Sequence, residues 1–390
     1  MEPERYLHGS VLGDALAQRK MAFISGPRQV GKTTLGRTLL TAPQNYFTWD
    51  DQRFRRAWVK DPVAAVSARG PGPILLDELH KDGHWKDRLK GVYDLRGQTL
   101  PLIVTGSARL DVFRRGGDSL MGRYLPYRLH PFTVGEHPIP AHPDALDFGR
   151  MPRFPWSDLL RLGGFPEALL GGSEARARRW SRLRAERLLT EDVRDLRNVR
   201  DLQALRLLTD LLPERVGSLL SLNALREVLS VSFATVRDWV AVLVELYHCF
   251  TILPWEERVA RAVVATPKLY LFDVLTIDSL PARRENLVAL HLLKACHYWT
   301  DLAHGEFDLR FLRTKDGLEV DFVVVRDGRP WMLVECKTGD TSPASTLRRF
   351  ASELGTTLNL QLVDVPGYDR LYPEYGVRVL SYERFLSGLV

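Results

Sequence analysis

Two groups of residues in this 390-residue chain have the types and spacing to handle phosphate. The first is Gly26-Pro27-Arg28-Gln29-Val30-Gly31-Lys32-Thr33, followed by Thr34, which fits Gly-x4-Gly-Lys-Ser/Thr. Glycines let a backbone fold closely around an anion so that successive N–H groups point inward. A helix N-terminus adds the positive end of its dipole. Lys32 is expected to reach the β- and γ-phosphates of ATP, and Thr33 to hold Mg²⁺. Asp77 and Glu78 end the apolar run Ile74-Leu75-Leu76 and are the expected partners, Asp77 for the metal and Glu78 for the attacking water. Thr105 and Ser107 end another apolar run, from Leu102, and are candidates to sense the γ-phosphate. A polar strand end facing solvent is the plain alternative. Arg123, in Leu120-Met121-Gly122-Arg123, is a candidate arginine finger for a neighbouring subunit, with an ordinary surface arginine as the alternative.

The second group is Asp321, Glu335 and Lys337, in the order Asp-x(n)-Glu-x-Lys. Two carboxylates of this kind hold Mg²⁺ near a scissile phosphate, and the lysine orients water and offsets charge. Strand geometry tests the idea. A three-residue loop Arg326-Asp327-Gly328 would set Val325 opposite Arg329 and Asp321 opposite Leu333. Side chains alternate by two, so Asp321, Glu335 and Lys337 would then share a face, with Glu319 opposite Glu335. A two-residue Asp-Gly turn would put Asp321 on the other face. Ordinary charges on a solvated hairpin are the alternative, which sits poorly with the apolar Leu333-Val334 running into alternating charges.

The elements that must position these residues follow from the patterning. Met21–Ser25, Asn45–Trp49, Ile74–Leu76 and Leu102–Val104 read as buried strands separated by helical stretches. Such alternation argues for an α/β fold with a parallel sheet covered on both faces. Pro138 to Phe154, with four prolines, reads as a linker. Residues from about Ser157 to Val244 read as helical, and Asn198 to Leu220 has no glycine or proline except Pro213 and Gly217. Beyond Lys268 the texture is mixed: strands at Lys268–Phe272, Glu319–Val325, Trp331–Cys336 and Leu358–Val363, and helices at Glu285–Cys296 and Ser345–Leu354. The expected division is 1–150, 151–265 and 266–390, in line with roughly 100–200 residues per domain.

Within the middle third, Leu222–Leu229, a break at Ser230-Val231, and Ser232–Leu243 read as helix–turn–helix. Ser232 is a good N-cap, Val236, Trp239 and Val240 face inward, and Thr235, Arg237 and Asp238 face outward. Phe250–Pro254 would start a wing. Glu174 to Arg200 holds nine arginines opposed by Glu174, Glu186, Glu191, Asp192 and Asp195. A solvated helix laced by pairs such as Arg182–Glu186 and Arg187–Glu191 is the favoured reading, and a phosphate-tracking surface the alternative.

Composition sets the limits. The chain is 45% hydrophobic and 26% charged, with net charge +6, which excludes wholesale disorder and permits an anionic partner. Only ten of the 54 basic residues are lysine, yet Lys32 and Lys337 stand where a compact ammonium is wanted. Three scattered cysteines form no disulfide framework and suit a reducing cytoplasm. No run approaches the ~18–20 apolar residues that span a bilayer, and no signal peptide is expected.

The motif order is more specific than any single motif. Gly-Pro-Arg-Gln-Val-Gly-Lys-Thr-Thr, Leu-Asp-Glu, Thr-Gly-Ser and Met-Gly-Arg, with Gly163-Gly164-Phe165-Pro166-Glu167 after them, resemble an AAA+-type P-loop ATPase family of bacteria and archaea. That family carries a winged-helix segment and ends in a poorly characterised nuclease-like domain of the PD-(D/E)xK type. The resemblance runs over nearly the whole chain. It implies an AAA+ parallel sheet, a helical and winged-helix middle, and a restriction-endonuclease-like α/β domain. It also implies that Glu285, in Glu285-Asn286-Leu287-Val288, is the helix-borne acid completing the metal site. ATP and Mg²⁺ are the expected cofactors. DNA, branched DNA included, is the expected partner, in a homo-oligomer for which a hexameric ring is one candidate. Alternatives are a non-cleaving DNA motor and a nucleotide-dependent regulatory or defence switch working through protein contacts.

Overall fold

The computed structural model describes residues 3–67, 70–97, 99–106, 120–192, 201–256 and 266–390. The chain divides into two compact units, one of residues 1–131 and 137–139, the other of residues 132–136 and 140–390.

The first unit is built on a five-stranded parallel sheet. Its strands are β1 (Met21–Ser25), β2 (Tyr46–Thr48), β3 (Ile74–Asp77), β4 (Leu102–Thr105) and β5 (Tyr124–Arg128), in the order β2-β3-β4-β1-β5. Continuous apolar runs form these strands because both faces are covered. On one face Met21, Phe23, Leu76 and Val104 pack with Phe54, Trp58, Trp85 and Leu89 from the helices Gln52–Lys60 and Trp85–Arg96. On the other lies the helix Lys32–Thr38, whose Gly36 comes so close that a Cβ would stand 2.8 Å from Leu75 Cδ1. Four of the strands match the expected runs. The fifth, β5, went unforeseen because Tyr124-Leu125-Pro126-Tyr127-Arg128 is neither continuously apolar nor strictly alternating.

The second unit contains an eight-stranded mixed sheet. Its strands are β6 (Cys249–Pro254), β7 (Lys268–Leu271), β8 (Phe307–Arg313), β9 (Glu319–Arg326), β10 (Arg329–Cys336), β11 (Leu358–Val363), β12 (Asp369–Tyr372) and β13 (Val377–Ser381). The order is β12-β13-β11-β10-β9-β8-β6-β7. The helix Ser345–Leu354 covers one face over Val323, Leu333, Val363 and Val379. The helix Leu280–Asp301 runs against β7, β8 and β9. The residues read as a linker pack here too: Trp299 Nε1 donates to Ala141 O at 2.9 Å, and Arg326 forks onto Asp144.

Before the sheet come the helices Trp156–Leu162, Pro166–Leu170, Glu174–Arg187, Leu202–Leu211, Leu222–Leu229 and Phe233–Glu245. The helix Leu202–Leu211 gives way at Leu212–Arg215 to a tight turn, where Pro213 ends the α-helix. Ser221 and Ser232 cap the last two helices, accepting from Ala224 N and Thr235 N, and Ser230 bridges them in a left-handed conformation. Val236, Trp239 and Val240 are buried and Arg237 is exposed, as the helical spacing requires. An antiparallel pair, β6 and β7, follows, and β6 also pairs with β8. No helix among the described residues is long and apolar enough to cross a membrane.

A buried ion pair ties the second unit together. Lys294 and Glu136 are both fully buried, 2.7 Å apart, and the lysine also donates to Thr133 Oγ1. Removing one partner leaves an uncompensated charge in the core. Lys294→Met should therefore destabilise the unit by about 3–5 kcal/mol, and Lys294→Met with Glu136→Leu should recover most of that. Urea unfolding of the three proteins checks it.

Candidate functional site

The phosphate loop leaves β1 at Gly26 and enters the helix at Lys32. Gly26 lies under β5's continuation, where a Cβ would meet Leu129 O at 2.2 Å, so only glycine fits. Gln29 (φ 63°) and Gly31 (φ 96°) take left-handed conformations, the turn that aims backbone N–H groups into a concavity. Arg5 anchors the loop from the outside, donating to Val30 O at 2.8 Å and to His130 O at 2.5 Å. Lys32 is buried, and its Nζ donates to Gly26 O (3.0 Å) and Pro27 O (2.7 Å). The ammonium thus stands inside the loop, pre-placed for an anion.

Asp77 faces the loop from the end of β3. Thr33 Oγ1 donates to both its oxygens, at 3.1 and 2.9 Å. Tyr46 Oη donates to Oδ2 at 3.0 Å, and Thr105 Oγ1 donates to Oδ1. Strand register sets Thr105 beside Asp77 in the adjacent parallel strand, while Tyr46, in register with Leu75, reaches the carboxylate with its longer side chain. Burial, then the charge of Asp77, holds the Tyr46 phenol above its usual value, so it remains a donor. Tyr46 was not singled out in the sequence, and only the strand order puts it here. Glu78 follows in a left-handed conformation (φ 57°) unusual for a non-glycine residue, with its carboxylate 3.5 Å from Lys81 Nζ. Thr105 thus serves Asp77 in this arrangement, and Ser107 lies outside the described residues. Arg123 is engaged within its own chain, its Nε 2.7 Å from Asp94 Oδ1.

In the second unit, Asp321, Glu335 and Lys337 do share a face, by a different route from the one expected. Asp327 and Gly328 both have positive φ, and Arg326 pairs with Arg329, so the turn is the two-residue one. On its own that turn would have moved Asp321 to the other face. A register shift between Pro330 and Met332, around Trp331, restores it. Beyond that bulge Leu333 opposes Val323 and Val334 opposes Phe322, which brings Glu335 rather than Leu333 beside Asp321. Cys336 N donates to Asp321 Oδ2 at 2.8 Å, and Asp321 N to Glu335 Oε2 at 3.4 Å. Lys337 Nζ lies 2.7 Å from Glu335 Oε1.

Glu285, at the start of the helix Leu280–Asp301, joins this cluster, accepting from Tyr270 Oη at 2.8 Å. Two residues of β7 complete it, Lys268 and Tyr270, which alternation places on one face. That polar pair within an otherwise apolar strand was the overlooked signal. Burial, and next Asp321, push Glu285 and Glu335 up to about 7, and burial raises Asp321 as well. Gly217 (φ 74°) backs the cluster: a Cβ there would stand 2.9 Å from Glu285 Oε1. As these side chains stand they do not fit a divalent ion. Among the described residues no group of three or more His, Cys, Asp or Glu is arranged to hold one.

Elsewhere the pentapeptide from Gly163 has a packing role. Gly163 ends its helix at φ 72°, Gly164 O accepts from Phe132 N, and the Phe165 ring lies against Trp180 and under the Arg184 guanidinium at 4.3 Å. Arg184 is therefore buried, while Arg176, Arg178, Arg179, Arg182 and Arg187 are exposed. Glu186 pairs with Arg206 at 3.5 Å, and Arg194, Arg197 and Arg200 lie outside the described residues.

Residues 18–137 match a family described as an AAA domain. Residues 154–279 and 282–385 match two families described as domains of unknown function, DUF8612 and DUF4143. An uncharacterized protein of Mycobacterium tuberculosis, Rv2008c, is 24% identical over 343 residues, 86% of this chain and 74% of its own length. Its counterpart in Mycobacterium bovis, Mb2031c, shows the same figures. Among solved structures, the Aeropyrum pernix ORC1 protein in complex with DNA covers 74% of this chain and 93% of its own, at 16% identity and TM-score 0.34. The Thermotoga maritima RuvB Holliday junction branch migration motor covers 63% and 88%, at 16% identity and TM-score 0.26. The AAA-domain match and the loop geometry together support an AAA+ ATPase.

The carboxylate cluster makes its own prediction. Glu285 and Glu335 should keep protons well above pH 4.5 and ionise only as pH rises through about 7. Asp321→Asn removes the negative charge that raises both most and should move both titrations to lower pH, read from ¹³C-carboxyl resonances of labelled glutamate.

Proposed function

We propose that this chain is an ATP-hydrolysing machine that acts on DNA as a homo-oligomer in the cytoplasm, with a hexameric ring as the assembly to test. The observation that carries the ATPase reading is the Asp77 carboxylate, set beside the phosphate loop and held there by hydroxyls of Thr33, Tyr46 and Thr105. In that reading the loop residues Gly26 to Thr34 bind ATP, and Thr33 and Asp77 hold Mg²⁺, which supplies charge neutralisation on the phosphates when bound. Glu78 orients the attacking water. Arg123 acts on a neighbour's nucleotide once released from Asp94. The DNA reading is supported by the capped helix–turn–helix, with Thr235, Arg237 and Asp238 outside its buried face.

The three-part division at 150 and 265 is the functional division we propose, with ATP handling, DNA engagement and the carboxylate site in turn. The resemblance gives the last part Mg²⁺-dependent DNA cleavage through Asp321, Glu335 and Lys337, completed by Glu285. One observation favours the second reading, a motor that remodels branched DNA without cutting it. Each carboxylate of the cluster is already engaged by an N–H, a hydroxyl or an ammonium.

Lys32→Ala should lower steady-state phosphate release by at least about 100-fold, and unimpaired turnover overturns the ATPase assignment. Wild-type protein and Asp321→Ala, incubated with Mg²⁺, ATP and branched DNA, separate the two readings. Cleavage lost in the variant supports a nuclease. Strand displacement with intact ends in both supports the non-cleaving motor.

A further inference from the structure

Lys268 is the most deeply buried cation in the carboxylate cluster, and the proposed phosphate chemistry makes no use of it. Its side chain is 2% exposed, against 38% for Lys337 and 43% for Arg313. The ammonium contacts Glu319, lies 3.8 Å from Glu285 Oε1, and sits 5.4 Å from the centre of the Phe311 ring. An ammonium removed from water in this way persists only where carboxylates pair with it.

A divalent ion makes a different demand. It needs several oxygens with lone pairs free to converge on one point. Here Asp321 Oδ2 accepts the Cys336 N–H, Glu335 Oε1 takes Lys337, and Glu285 Oε1 takes the Tyr270 hydroxyl. The backbone closes the Glu285 side as well. Val216 bridges Leu269, Leu219 bridges Lys268, and Gly217 N donates to Leu269 O at 3.1 Å. Gly217 packs so near the Glu285 carboxylate that a Cβ there would stand 2.9 Å from Oε1.

We propose that Lys268 is the resident cation of this cluster: its ammonium holds Glu285 and Glu319 in place of a divalent ion, and such an ion binds only when that ammonium is gone. The inference rests on reading Asp321, Glu335 and Glu285 as a metal-type constellation. It makes the lysine an inhibitory contact built into β7, with the segment 216–220 pinned to the same strand ahead of the helix–turn–helix.

The test is Mn²⁺ alone titrated into the full chain, with free ion followed by electron paramagnetic resonance. Lys268→Met removes the charge at similar length and should bind Mn²⁺ at least about tenfold more tightly than wild type. Lys268→Arg keeps the charge and should bind no better than wild type. If Lys268→Met does not fold without metal, millimolar Mn²⁺ should restore its circular dichroism, because the ion replaces the lost charge. A Lys268→Met chain that gains no affinity, or that stays unfolded with Mn²⁺, overturns the assignment. Adding Asp321→Asn to Lys268→Met should abolish the gained binding. If it persists, the ion sits elsewhere and the reading of the carboxylates falls too. If wild type binds Mn²⁺ through Asp321 but Lys268→Met gains nothing, the lysine assignment alone falls.

Discussion

A charge taken out of water must be met by partners, and that constraint organises both units of this chain. In the first unit it falls on Asp77, a buried carboxylate at a strand end. Hydroxyls from three neighbouring elements meet it: Thr33 from the helix after the phosphate loop, Tyr46 from β2 and Thr105 from β4. Because the strands run parallel and in register, Asp77 and Thr105 lie side by side, and the longer Tyr46 side chain reaches the same carboxylate from the start of β2. The apolar remainder of each strand stays in the core.

The same constraint acts in the second unit, where buried lysines and carboxylates face one another. Lys294 and Glu136 neutralise one another between the long helix Leu280–Asp301 and the segment 132–136. One end of that helix also presents Glu285 to the cluster around Lys268, Glu319, Asp321 and Glu335. The helix therefore links a structural ion pair to a candidate site. Burial and nearby negative charge raise Glu285, Asp321 and Glu335, while Lys268 and Lys337 oppose that rise. The cluster is poised between holding protons and holding cations, a balance that ordinary surface charges do not have.

The hairpin of β9 and β10 shows how a sequence argument can reach a correct face by an incorrect path. Parity alone decides which face a side chain takes, so a three-residue loop and a two-residue turn plus one bulged residue give the same answer. The two-residue Asp-Gly turn stood as the alternative to the expected three-residue loop, since both residues tolerate positive φ. The bulge at Trp331 was not foreseen: no local signal marks it, and in the fold the Trp331 ring lies against Trp299 and Phe307, which belong to other elements. Likewise Arg184 looked like one of nine similar arginines. Only the fold places its guanidinium over Phe165 and against Tyr247 O.

The sequence by itself determined the local features: the phosphate loop with its required glycines, four of the five strands of the first sheet, and the serine caps of the helix–turn–helix. Each follows from conformational freedom, periodicity or hydrogen bonding within a few residues. Tertiary structure alone decided which distant groups meet. It brought Tyr46 to Asp77 through strand order, Lys268 and Gly217 to Glu285 through the pairing of β7, and Arg123 to Asp94 of its own chain. The physical reason is that neutralising a buried charge depends on proximity in space, and spacing along the chain carries no information about that.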